Sequence, residues 1–418
     1  MELAEVPVLL MLIGIAAYVV LAGADFGSPF WVLTARGKQA EEIREQTHNS
    51  MAPVWEANHV WLIFVLVVCW TAYPEVFASI FSTLWIPLIL ACFGIVMRAV
   101  GYVVGGYAKR QWVTWLATIS SFVTPFMLGA VVGGVVSGRV PVGNAQGDVL
   151  SSWLNPTSLT IGLVAVTLCA YLAAVYLAAD ADRKGERELA DAFRSRGLGA
   201  GVVTGAVALA GVFVLNADSK LVYEGLTSGL GLADIALSGV AGVLTIALLA
   251  ARRFGAARYT AAAAVITIVA GWGIAQSPYI LPPDLTVTQA AADDNVLIAL
   301  LVAIAIGLMV LVPSLLLLYG LVLGGRFDPG GGAVVDGAMP EGPAGPRGGV
   351  PLGPPKRRSI AIVGTVAAVG AGLSMGFNSG AALYVGIALV LGALVAGCVM
   401  LAFSMLTGLE KAEAEPEG

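Results

Sequence analysis

The chain has 418 residues, of which 58% are hydrophobic and 12% charged, with a formal net charge of -5 and a mean hydropathy of +0.88. Soluble domains carry roughly 25% charged residues, so this composition excludes a soluble globular protein and identifies an integral membrane protein. Its apolar runs reach the ~20 residues that an α-helix needs to cross the hydrocarbon core, and they lack strand-like alternation, which excludes a β-barrel.

Hydropathy predicts eleven spans in chain order, near residues 6–31, 54–73, 77–104, 112–137, 157–179, 198–217, 230–251, 257–277, 296–323, 359–377 and 381–407. The first follows an acidic flank and has no small-residue cleavage site before Trp31, so it is expected to be a retained helix rather than a leader. Pro53 suits a first helical turn, Pro74 ends the second span, and Asn155-Pro156 opens the fifth. The sixth and seventh spans are rich in Gly and Ala. No internal repeat is visible. Residues 326–358, within a Gly- and Pro-rich stretch, cannot form a core and are expected to be a linker. The last two spans, 359–407, form an expected hairpin closed by Asn378-Ser379-Gly380, and 408–418 is an acidic tail.

With the N-terminus outside, every Lys and Arg except Arg139 and Lys220 falls on the cytoplasmic side. That bias satisfies the positive-inside rule and places the C-terminus in the cytoplasm. Cys69, Cys92, Cys169 and Cys398 lie within spans without CxxC spacing, which favours packing over a disulfide or metal-thiolate role. The tryptophans lie mainly near span ends, as an aromatic belt requires. Two histidines, His48 in a loop and His59 in a span, are too few for a haem or zinc ligand set, so no redox metal is expected on this chain. Nothing in the sequence points to nucleic acid.

Ionisable groups inside spans are costly and usually functional. Asp25, Glu56 and Arg98 converge on the predicted cytoplasmic level, where they serve either as a proton-handling cluster or, for Asp25 and Arg98, as a structural ion pair pinning two helices. Glu56 has His59 at i+3 and Asn58 nearby, and is the expected proton-uptake residue with those two as assistants.

Three segments carry a family resemblance: GADFG at 23–27, NSMAPVWEANHVWL at 49–62 and RAVGY at 98–102. In order and spacing they resemble subunit II of cytochrome bd-type quinol oxidases, over residues 1–325. The resemblance implies an all-α core of nine helices, arranged as two four-helix bundles and one peripheral helix, to which this chain adds the C-terminal hairpin. It also implies a haem-free subunit of a bacterial plasma-membrane oxidase that oxidises quinol and reduces dioxygen to water. Haem b and haem d would reside in the partner subunit I, and the cytoplasmic proton route would run through this chain. Membrane lipids, a bound quinone and a small accessory subunit are compatible with that plan. Two positions depart from the family pattern: Glu56 stands where Asp is usual, and His59 where an amide is commoner. Asp25 and Arg98 match it. From residues alone the rival reading is a secondary transporter, although such proteins often show repeated halves and charges at the midplane.

Overall fold

The computed structural model describes residues 2–37, 39–51, 55–105 and 111–323. The linker, the two C-terminal spans, the tail, Pro53, Lys109 and Arg110 lie outside the described residues.

A 3-10 turn, Leu3–Glu5, leads into α1 (Val6–Thr34), with Pro7 in the first turn where its missing N–H costs nothing. Its 29 residues extend about 43 Å, more than a hydrocarbon core. The polar helix α2 (Gln39–Met51) follows, with Glu41 and Glu42 in its first turn, where carboxylates complement the helix dipole. It buries Ile43.

Then come α3 (Trp55–Ala72), α4 (Pro74–Thr83) and α5 (Trp85–Gly105). Here the structure corrects the expected span 77–104, which is interrupted at Leu84. Pro87 supplies the reason: in a continuous helix its ring would strike the Thr83 carbonyl four residues back. The chain instead restarts at Trp85 and places Pro87 in the first turn. Between α3 and α4 the axis turns by 119°. The turn is tied by the Tyr73 hydroxyl, which donates to the Ala4 carbonyl, and by the Ala292 amide, which donates to the Ala72 carbonyl at 2.8 Å.

α6 (Gln111–Val136) and α7 (Pro156–Arg183) follow. Asn155 caps α7 by accepting from the Ser158 amide at 2.9 Å, and Pro156 opens its first turn. α8 (Arg187–Asp218) begins eleven residues before the expected sixth span, so its first three turns are polar. The short α9 (Lys220–Thr227) precedes α10 (Gly229–Ala250) and α11 (Phe254–Gln276). A two-stranded antiparallel hairpin, β1 (Tyr279–Leu281) and β2 (Leu285–Thr286), leads to α12 (Val287–Ala290), capped by Thr286, and to α13 (Asp294–Leu323).

The chain divides into two units. Residues 1–300 form the first, and the described part of the second is the remainder of α13. Among the described residues seven helices are long and apolar enough to cross a membrane, and the bent pair α3–α4 makes an eighth; Trp85–Val100 within α5 is a shorter apolar helix. The all-α polytopic architecture is therefore present.

The centre of the first unit is α7, which packs against α1, α6, α8 and α11. Leu172, Ala173, Ala174, Val175, Leu177 and Ala178 are completely buried. In lipid the gain is van der Waals contact rather than escape from water, so small residues that admit close approach matter most. At Gly27 of α1 a Cβ would collide with the Cys169 carbonyl, and at Gly129 of α6 it would fall 2.8 Å from the Gly162 Cα. The Trp31 indole fastens the first contact by donating to the Ala170 carbonyl at 2.8 Å.

Candidate intramembrane charge site

Asp25 lies in the last third of α1 and Arg98 on α5, and the fold brings them together. Arg98 Nη2 meets Asp25 Oδ1 at 2.6 Å, and its Nε meets Oδ2 at 3.4 Å. The same Nη2 also donates to the Asp25 main-chain carbonyl at 2.5 Å and to Ser28 Oγ at 3.3 Å. Ser28 in turn donates to the Asp25 carbonyl at 2.8 Å. Both charges are almost fully buried, at 1% and 4% exposure. Removing two ions from water costs several kcal/mol each, which only close geometry and further hydrogen bonds offset. The fork of contacts around Nη2 supplies them.

Asn58 and His59 dock on the same stretch of α1. Asn58 is buried and donates from Nδ2 to the Leu21 carbonyl at 3.3 Å. The His59 ring sits between Tyr18 and Phe26, with centroids 5.9 and 6.0 Å away. Its Nδ1 is 3.5 Å from the Tyr18 hydroxyl. Glu56 belongs to the first turn of α3, and His48, expected in a loop, stands instead within α2, where the polar run 39–51 forms a helix; the side chains of both lie outside the described residues. The structure thus joins Asp25 to Arg98 and places Asn58 and His59 on α1 beside them.

Two participants were not read from sequence, Tyr18 and Ser28. A signal existed: Tyr18, Asp25 and Ser28 fall at i, i+7 and i+10, one face of a helix. α6 adds buried hydroxyls at Thr118, Ser120, Ser121 and Thr124.

Two other polar clusters fasten the ends of the helices. Asp218 accepts from both terminal nitrogens of Arg139, at 3.0 and 2.6 Å, and from the Thr157 hydroxyl at 2.6 Å. Asp180 joins α2 to α7 through Gln46 at 2.7 Å and Ser50, and pairs with Arg183 and Lys184.

No group of three or more His, Cys, Asp or Glu is placed to hold a metal among the described residues. Cys69, Cys92 and Cys169 are free thiols.

What decides the family is a match over most of the chain. The profile of the family described as cytochrome bd terminal oxidase subunit II aligns with residues 3–322. The chain belongs to that family.

Subunit II of cytochrome bd-I ubiquinol oxidase from Escherichia coli is 31% identical over 141 residues, which cover 31% of this chain and 36% of that relative. The chain thus aligns with about a third of that subunit's length. The Bacillus subtilis cytochrome bd ubiquinol oxidase subunit 2 is 26% identical over 156 residues, 36% of this chain and 45% of the relative. The solved bd oxidase from Geobacillus thermodenitrificans contains a chain with 26% identity and a TM-score of 0.65, covering 78% of this chain and 99% of that one. The three motifs that suggested subunit II, together with Asp25, Asn58, His59 and Arg98, all lie inside the matched segment.

Proposed function

We propose that this chain is the haem-free subunit of a quinol:oxygen oxidoreductase of the bacterial plasma membrane, paired with a haem-bearing subunit I. The observation that carries this reading is family membership over residues 3–322, together with a buried charge site at the family's own motifs. Bound in the partner, haem b and haem d would supply electron transfer from quinol to dioxygen.

This chain's own residues would hold and move protons. Glu56, at the start of α3, takes up the proton from the cytoplasm. Asn58, two residues further on, and His59, three residues or about one turn further on, assist it beside the face of α1. Asp25 and Arg98 fix the local field and hold α1 against α5. The reading keeps the N-terminus outside, the C-terminus in the cytoplasm, and the nine-helix plan of 1–325. It treats 326–358 as a linker, 359–407 as an added hairpin on the outer face of the core, in the place of a small accessory subunit or lipid, and 408–418 as a solvated tail.

The test is haem content and quinol-driven oxygen consumption of the chain purified alone and with its native partner. Haem and activity confined to the complex support the reading; stoichiometric haem on the isolated chain overturns it, as does the lack of any copurifying haem protein. Replacing Glu56 with Gln tests the proton route. Unchanged oxygen consumption and proton uptake would leave the chain a scaffold.

A further inference from the structure

A groove of about 370 Å³ opens between α1, α6, α7 and α8, within the lower part of the ~300–1,000 Å³ range of ligand-binding clefts. Its walls are apolar: Phe30 and Trp31 from α1, Phe122 from α6, Val166 from α7 and Val203 from α8. Phe30 and Phe122 meet edge to face at 5.8 Å, so one wall is a continuous aromatic surface. The mouth is formed by Thr34, Ser195 and Gly199, all exposed.

One charge lines this groove, Arg196. It lies nine residues into α8, about 13 Å from the helix start, where RELADAFRSR gives way to the apolar GLGAGVVTG. On the orientation read from the positive-inside bias, this is the cytoplasmic end of the span.

Three basic residues near this end are occupied, while Arg36, Arg187 and Arg253 are exposed and do not line the groove. Arg194 donates to the Leu249 and Ala250 carbonyls at 2.8 Å each. Arg252 pairs with Asp191, and Arg258 lies over the Tyr176 ring. Arg196 makes one bond, to the Ala192 carbonyl at 3.1 Å, and rests 5.7 Å from the Phe193 ring. None of the ion pairs among the described residues includes it.

We infer that this groove binds one anionic phospholipid, with the phosphate on Arg196 and an acyl chain laid along Phe30, Phe122, Val166 and Val203. A planar guanidinium with free donors matches phosphate oxygens, and a basic pocket between helices on the cytoplasmic side is the setting in which anionic headgroups are held. The inference rests on the membrane orientation given under the proposed function, and not on the oxidase activity.

The experiment is native mass spectrometry of the whole complex, purified in detergent and exposed to phosphatidylglycerol or phosphatidylcholine vesicles. Three variants are compared: Arg196→Gln, Arg196→Lys and Gly199→Leu. A Cβ at Gly199 meets nothing within 4 Å, and Gly199 lines the groove, so a leucine there starts from open space and takes up groove volume. The unaltered complex is expected to retain one phosphatidylglycerol in preference to phosphatidylcholine by roughly fivefold, the worth of one basic residue near an anionic headgroup. Arg196→Gln loses the preference, Arg196→Lys keeps it, and Gly199→Leu loses the bound lipid. Equal retention in all four proteins overturns the inference, as does an isoprenoid quinone in place of the phospholipid. Because the readout is bound lipid, a complex without oxidase activity would count against the proposed function and leave this result intact.

Discussion

The buried pair of Asp25 and Arg98 yields the sharpest prediction, because its contacts are unequal. Replacing Arg98 with Leu takes the guanidinium from the Asp25 carboxylate, 1% exposed, and removes the donor that Nη2 gives to both the Asp25 carbonyl and Ser28. Breaking a buried pair from one side costs about 3–5 kcal/mol, roughly a hundredfold or more in the folded-to-unfolded ratio. Asp25→Asn leaves the Arg98 cation without its counterion but keeps an acceptor and the carbonyl and Ser28 contacts of Arg98, so its cost is expected at the lower end of that range, about 3 kcal/mol. The double change Asp25→Leu with Arg98→Leu removes both ions and should recover most of the loss, since an apolar pair of similar volume is often neutral. The assay is denaturant unfolding of the complex in detergent, with Asp25→Leu, Arg98→Leu and their combination closing a double-mutant cycle. The reasoning fails if Arg98→Leu costs less than about 1 kcal/mol, or if the double variant is less stable than either single one.

Gly27→Val drives a side chain into the Cys169 carbonyl, which should cost about 1–3 kcal/mol of stability and lower the thermal midpoint. Gly205→Ala, where a Cβ meets nothing within 4 Å, should instead stabilise α8 by roughly 0.5–1 kcal/mol; circular dichroism melts distinguish the two. Asp218→Asn loosens the clamp on Arg139 and Thr157, with an expected cost of about 1–3 kcal/mol, and a loss that shrinks at high salt would show the ionic part. Outside the helices, the Ser151 amide, the Ser151 hydroxyl and the Leu150 amide hold the Asp148 carboxyl below the usual range. A depressed folded-state value means that this loop's contribution is present above the ordinary carboxylate range of about 3.9 and is lost as pH falls through the lowered value. Hydrogen exchange at Leu150 and Ser151, corrected for intrinsic rates, should therefore lose protection only in acid, and unaltered protection in Asp148→Ala would refute the assignment.

Much of the architecture was legible because lipid leaves a helix no alternative: runs such as 6–31 and 157–179 reappear as α1 and α7 with small shifts at their ends. The interruption at Leu84 was legible too, in Pro87, but the apolar letters on both sides of it hid the proline. α2 escaped notice because ten of its thirteen residues are polar and carry little hydrophobic period, and it stands through its ties to Asp180. At the site, Asp25 and Arg98 stood out as charges among apolar neighbours. Tyr18 and Ser28 did not, since uncharged side chains in a span are unremarkable until a partner helix packs on them. The bond between Arg139 and Asp218 crosses 79 residues of sequence, and no local pattern in either segment announces it.

The corner between α3 and α4 bears on how the chain is made. Its hydrogen bonds reach back to Ala4 and forward to Ala292, so the first turn of the protein and a segment late in the core close the same junction. At the ribosome's pace of ~5–20 residues per second, roughly ten to forty seconds separate the synthesis of Ala72 from that of Ala292. Through that interval the Ala72 carbonyl must find another partner, in water or in the insertion machinery. Quality control that samples nascent membrane proteins would meet this corner open, and a chain truncated anywhere before α13 would never close it.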